Sequence, residues 1–81
     1  MTEEEVRAKL SEILVRDFRV PKERIAPEAT FRGSLGLDSL DAVDLIYLIK
    51  KTFSLEVNIH SFKDLHTVDD VVAFILKGLQ P

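Results

Sequence analysis

The 81-residue sequence contains no cysteine. That excludes a disulfide framework, a thiolate zinc site and a thiol nucleophile of its own, so any sulfur chemistry it joins must be imported. Histidine is scarce: His60 and His66 are the two present, and neither stands in metal-ligand spacing with a second His or Cys. No metal site is expected, and a histidine without a positioned partner is a poor general base. Long apolar runs are also missing, since none approaches the roughly 18 residues of a membrane span. The amino terminus, Met1 to Glu5, is acidic where a signal peptide would be basic, so a cytoplasmic protein is expected. Basic charge is in short supply, with 11 Lys and Arg against 14 Asp and Glu, a net charge of −3. The balance argues against nucleic acid and mildly for basic protein partners. No stretch offers an Arg- and Lys-rich recognition helix, which disfavours a helix-turn-helix DNA binder. There is no internal repeat and no low-complexity segment.

What is present is helical periodicity. At this length there is room for a single domain, residues 1–81, burying about 60% of its unfolded surface. Val6, Leu10, Ile13 and Leu14 recur at helical spacing behind a Thr2/Glu5 capping-box pattern, which predicts a first helix over residues 3–17. Pro21, Pro27, Gly33 and Gly36 punctuate the next stretch, so residues 19–37 read as a long connection. A loop of that length needs anchoring, and Ile25, Phe31, Leu35 and Leu37 are the candidates. Leu55, Val57 and Ile59 alternate like a strand, but a lone strand has no pairing partner, so an extended linker is expected. One short helical turn is expected at Ser61 to Leu65. Thr67 and Asp70 repeat the cap logic before Val68, Val71, Val72, Ile75 and Leu79, a last helix expected to stop at Gly78 and Pro81. The expected fold is all-α: a small bundle of three main helices plus one short helix, with the long loop between helices one and two.

The segment Gly36-Leu37-Asp38-Ser39-Leu40-Asp41 starts the second helix. Asp38 is a good N-cap, and Asp41 three residues on answers it. Ser39 then falls in the first turn, where unpaired N–H groups and the positive end of the helix dipole suit a phosphate ester. The plainer reading is that serine is common there because its hydroxyl helps satisfy those N–H groups. A nucleophile elbow is excluded, because it needs a strand before the serine and Gly two residues after it, where Asp41 stands. Asp38 and Asp41 as an acid–base pair is a weaker explanation than capping. Gly33 and Gly36 are not followed by the Lys-Ser/Thr of a phosphate-binding loop. An independent enzyme is therefore not expected. The helix beyond is apolar on more than one face. Val43, Leu45, Ile49 and Phe53 suit the core, leaving Leu40, Ile46 or Tyr47 for a partner; equally, the helix could be central and buried on most sides.

The run Leu35-Gly36-Leu37-Asp38-Ser39-Leu40-Asp41-Ala42-Val43-Asp44-Leu45 resembles the phosphopantetheine attachment motif of acyl carrier proteins. The order helix, long loop, helix, short helix, helix resembles that family along essentially the whole chain. The resemblance implies that a phosphopantetheinyl transferase, with coenzyme A as donor, joins 4′-phosphopantetheine to Ser39, and that Asp38 also helps position the metal-bound coenzyme at the transferase. Acyl groups would ride as thioesters on the arm's thiol, in fatty-acid or related lipid biosynthesis. Acyltransferases, synthases and other acyl-processing enzymes would be the partners, with no nucleic acid, no membrane span and a monomeric carrier. The acyl chain would fold back into an interior lined by Val43, Ile46, Ile49, Ile59, Phe62, Val72 and Ile75. Leu40, Asp41, Asp44, Tyr47, Lys50 and Lys51 would face the partners.

The chain departs from the family where Lys50 and Lys51 stand in place of the customary acidic residues. Cations favour a helix C-terminus by about 0.3 to 1 kcal/mol each, which explains them without function. The alternative is a partner set different from the housekeeping synthase, since lysines against a basic patch would weaken docking. Carriers for polyketide or amino-acyl assembly are the runner-up, although Leu37-Asp38 before Ser39 favours acyl groups. From a different class, a helical protein-interaction module without prosthetic group fits the same helices.

Overall fold

A computed structural model of the chain describes residues 1–79. Helix α1 spans Glu3–Phe18, α2 Ser39–Phe53, α3 Ile59–Phe62 and α4 Val68–Leu79, with a single 3-10 turn at Lys22–Arg24 inside the long connection. The expected all-α bundle of three main helices and one short one is what forms. The expected first capping box is present: the Glu5 N–H donates to Thr2 Oγ1 at 3.2 Å and the Thr2 N–H donates to Glu5 Oε1 at 3.0 Å. Thr67 and Asp70 repeat it at α4, where the Asp70 N–H donates to Thr67 Oγ1 at 3.1 Å. The Asp70 carboxylate in turn accepts from the His66 and Thr67 N–H groups at 3.0 and 3.1 Å, and those bonds hold its pKa below the ordinary carboxylate value.

The core is entirely apolar among the described residues. Val6, Leu10, Ile13 and Leu14 of α1 meet Val68, Val71, Val72 and Ile75 of α4, and Leu45, Ile46, Ile49 and Phe53 of α2 close the third side. At about 100° per residue those four α2 positions form one stripe, and Leu40, Val43 and Tyr47 form another on the far side. This corrects the expected phase of α2. Val43 is 48% exposed and Ile46 only 8%, so their expected roles are exchanged. The helix is also not buried all round, because Leu40 and Tyr47 are 77% and 62% exposed.

The long connection is held as its apolar residues suggested. Phe31, Leu35 and Leu37 are buried, Ile25 is half-buried, and Val20 and Ala29 join them in the core. Backbone bonds add a second tether to the start of α4: Phe31 N–H donates to His66 O at 3.1 Å, Val68 N–H to Ala29 O at 3.0 Å and Asp69 N–H to Pro27 O at 3.0 Å. Thr30 and Thr67 thereby form an isolated antiparallel bridge, and no strand exists among the described residues. Gly36 adopts φ +69°, a left-handed conformation that glycine enters without a Cβ penalty, and it turns the chain into the cap of α2.

The boundaries of α3 and α4 differ from expectation. The short helix begins at Ile59, not Ser61, because the Asn58 side chain caps it by accepting the Ser61 N–H at 2.8 Å. Helix α4 runs through Gly78 to Leu79. Gly78 serves packing instead, since a Cβ there would lie 3.2 Å from the Leu55 methyl groups. Pro81, expected to stop that helix, lies outside the described residues. Helices α1 and α2 end on Arg19 and Ser54, both with positive φ.

Candidate functional site

Ser39 is the first residue of α2, and its position is set by the cap before it. The Asp41 N–H donates to Asp38 Oδ1 at 2.9 Å, and the Asp38 N–H donates to Asp41 Oδ2 at 3.2 Å. The expected reciprocal capping box is therefore formed. Both carboxylates are engaged with backbone, which leaves the Ser39 hydroxyl out of the cap. That side chain is exposed, and its Oγ accepts a hydrogen bond from Arg32 Nη2 at 3.1 Å. The first N–H groups of a helix lack intrahelical acceptors, so the hydroxyl stands at a positive helix end with a guanidinium beside it.

Ser39 lies on the edge of a cleft of about 820 Å³. Its apolar lining comes from the long loop (Phe31, Leu37), α2 (Ala42, Ile46), α3 (Ile59, Phe62) and Leu65. Phe31 and Phe62 face each other there with ring centroids 6.1 Å apart and planes tilted by 49°, within the range of favourable aromatic pairs. The polar lining includes Arg32, His60, Lys63, His66 and Asp38. The loop's tether to α4 and the Asn58 cap of α3 thus place opposite walls of one cleft against the start of α2. Pockets of about 300 to 1,000 Å³ enclose drug-sized ligands, so the volume suffices for an extended apolar chain.

The fit to a phosphodiester-linked arm is good on the residues alone. A free hydroxyl sits at a helix N-terminus with a guanidinium donating to it, exposed cations line the adjoining cleft, and the cleft is apolar within. No cluster of metal ligands occurs among the described residues, and His60 and His66 line the cleft without forming one.

The sequence-predicted residues distribute unevenly around this site. Of the interior candidates, Ile46, Ile59 and Phe62 line the cleft. Ile49, Val72 and Ile75 are buried in the core and do not line it, so a chain would reach them only if the helices parted. Val43 faces solvent on the other side of α2. Among the partner-facing candidates, Leu40, Asp44, Tyr47, Lys50 and Lys51 are exposed, while Asp41 is half-buried in the cap. Sequence reasoning missed Arg32, Lys63 and Leu65. Arg32 is seven residues before Ser39 with no periodicity to connect them, and only the course of the loop brings them together.

Comparison with known proteins agrees with this geometry. The family described as Phosphopantetheine attachment site matches residues 8–75. The acyl carrier protein of Chlorobium luteolum is 36% identical over 77 residues, covering 95% of this chain and 99% of the relative. That of Thermosynechococcus vestitus is 36% identical over 75 residues, with 93% of each chain covered. The crystal structure of an acyl carrier protein from Thermotoga maritima superposes with a TM-score of 0.82 at 27% identity, covering 95% of this chain and 89% of that one.

Proposed function

The chain belongs to the acyl carrier protein family, and from that premise we propose that Ser39 is the residue joined to its covalent 4′-phosphopantetheine. The group supplies a flexible arm ending in a thiol, on which acyl groups are held as thioesters. The observation that carries the assignment is an exposed Ser39 hydroxyl in the first turn of α2 at the edge of the apolar cleft. The other serines lack that setting: Ser34 accepts the Thr30 N–H in the loop, Ser54 is the left-handed cap of α2, Ser61 is in the four-residue α3 and Ser11 is on α1.

Each residue has a distinct task. Asp38 and Asp41 fix the helix start, so the hydroxyl is presented at one angle. A phosphopantetheinyl transferase would join Ser39 Oγ to the pantetheine-side phosphorus of coenzyme A as the pyrophosphate bond breaks, with adenosine 3′,5′-bisphosphate leaving and the serine proton passing to solvent or the transferase. Asp38, freely reachable at the surface, also faces the transferase's coenzyme site. Ile46, Ile59 and Phe62 offer apolar shelter to an acyl chain that folds back. The chain leaves catalysis to acyltransferases, synthases and related enzymes of fatty-acid or lipid assembly. It works as a monomer in the cytoplasm, and no helix of the described residues is long and apolar enough to cross a membrane. A tethered substrate reaches successive active sites at high effective concentration.

The partner surface is the solvent stripe of α2. Leu40 and Val43 before Asp44, and Tyr47 between it and the lysines at the helix end, supply apolar contact. Lys50 and Lys51 make this stripe less suited to a basic docking patch, which favours partners distinct from a standard fatty-acid synthase. Turnover with standard fatty-acid enzymes should rise in a Lys50→Glu/Lys51→Glu variant; equal turnover by both proteins removes that part of the reading. Attachment itself is tested by coenzyme A, magnesium and a broad-specificity transferase, reading the intact mass. The unmutated chain gains one phosphopantetheine and Ser39→Ala gains none. A chain that stays unmodified supports the rival reading of an interaction module without prosthetic group.

A further inference from the structure

The Ser39 hydroxyl is already held before anything is attached to it, and the residue that holds it is Arg32. The guanidinium Nη2 donates to Ser39 Oγ at 3.1 Å. Among the described residues Arg32 has no carboxylate within ion-pair distance, and the same holds for Lys63, His60 and His66. All four line the cleft that opens beside Ser39. The single acidic residue in that lining is Asp38, and its carboxylate is turned to the Asp41 N–H. In a chain of net charge −3, Arg32 and Lys63 bring two cations to one cleft whose lining holds a single carboxylate.

Ion pairing explains Arg7 and Arg16 but not Arg32, nor Arg19 or Arg24, which form no ion pair among the described residues. Arg7 bridges Glu3 and Asp69, and Arg16 bridges Glu12 and Asp17. Arg32 sits on an exposed loop position and spends its hydrogen bond on a neutral hydroxyl. A guanidinium is a rigid fork whose paired N–H groups match the oxygens of a phosphate, and its bonds to an anion are stronger than those to a neutral oxygen.

Resting on the assignment of Ser39 as the attachment residue, the geometry points to Arg32 as a positioning residue for the phosphodiester formed there. The guanidinium that now donates to Oγ donates to the phosphate once Oγ is esterified, and Lys63 adds positive potential along the cleft. The near end of the arm is thereby held against the protein on the cleft side of α2, away from the Leu40–Tyr47 stripe. The held phosphate favours return of the acyl chain to the cleft, and competition by a partner's own cations releases it.

The test uses full-length protein in apo and loaded forms, with loading verified by intact mass. In the unmutated chain, the Arg32 side-chain nitrogen resonances should move on loading and the ³¹P resonance should depend on salt, because an exposed charge pair is screened. In loaded Arg32→Gln the ³¹P resonance should move towards that of a phosphopantetheinyl-serine peptide and lose most of its salt response, with Arg32→Lys falling between. Loading should also raise the unfolding midpoint more in the unmutated chain than in Arg32→Gln. An exposed pair of up to about 1 kcal/mol corresponds to roughly fivefold in docked over free arm. Arg32 resonances unmoved by loading, or ³¹P shifts and salt responses identical in both chains, overturn the proposal while leaving the attachment site intact. Should Arg32→Gln resist loading, the resonances of the loaded unmutated chain decide alone. Failure of the unmutated chain to load contradicts the Ser39 assignment instead.

Discussion

The two sides of this small bundle are built differently. On one side α1 and α4 pack apolar stripe against apolar stripe, with Leu10, Leu14, Val71 and Ile75 fully buried and an Arg7–Asp69 bridge of 2.6 Å across the top. On the other, α2 faces a four-residue helix and a long loop across a cleft of about 820 Å³. The first side is held by interdigitated side chains. The second is anchored by Phe31, Leu35, Leu37 and Phe62 and depends in addition on local polar devices: the Asp38–Asp41 and Asn58 caps, the left-handed Gly36 and the backbone bonds tying the loop to α4. The contrast separates stability from function, because a closed seam supports the fold while an incompletely filled one leaves volume beside Ser39.

Truncation should expose the contrast most strongly. Leu10→Ala removes a wholly buried side chain from the closed seam and should cost about 2 to 5 kcal/mol, enough to unfold much of a domain this small. Phe62→Ala removes more atoms but from a wall already facing open volume, so it should cost less in urea unfolding than Leu10→Ala. The reverse order would mean that the cleft is a structural seam. Gly36→Ala comes next: no atom obstructs a Cβ there, so its cost of about 1 to 2 kcal/mol should be purely conformational. Asp38→Ala should cost about 1 kcal/mol through the lost cap and should slow loading more than it lowers stability.

Acid should act on the α1–α4 side through its capping carboxylates. Asp70 and Glu5 have folded-state pKa values lowered by the N–H groups they accept, chiefly of His66 and Thr2 respectively. Their contribution is complete above the ordinary carboxylate values near 4 and is lost as pH falls through the lower folded values. Asp70→Asn should therefore lower the neutral plateau by the lost contribution while leaving stability below the lowered folded value little changed, so that the profile falls less on acidification. Substitutions on the solvent stripe should have the smallest effect on folding: Tyr47→Ala should change stability by no more than about 0.5 kcal/mol while reducing partner turnover. A large loss of stability there would show that the stripe serves the bundle.

Much of this arrangement can be read from the residues, where the determining physics is local. The three capping boxes, Thr2/Glu5, Asp38/Asp41 and Thr67/Asp70, and the apolar periodicity of α1 and α4 depend on neighbours along one helix. What could not be read depends on contacts between distant segments. Val43 and Ile46 are apolar and one turn apart, and which of them is buried is decided by where the loop and α3 lie against α2. Arg19 and Ser54 end helices in a left-handed conformation without the glycine that usually marks one. Asn58 is a good cap by residue type, but the strand-like alternation of Leu55, Val57 and Ile59 around it masks the helix start it makes. Arg32 reaches Ser39 only because Phe31, Leu35 and Leu37 bury the loop on either side of it.

The central claim is that the open side exists to serve a group joined at Ser39. Intact mass after incubation with coenzyme A, magnesium and a broad-specificity phosphopantetheinyl transferase tests it most directly. One added phosphopantetheine on the unmutated chain, none on Ser39→Ala and retained loading of a Ser61→Ala control is the expected result. An unmodified chain, or a Ser39→Ala chain that still gains the group, would contradict it.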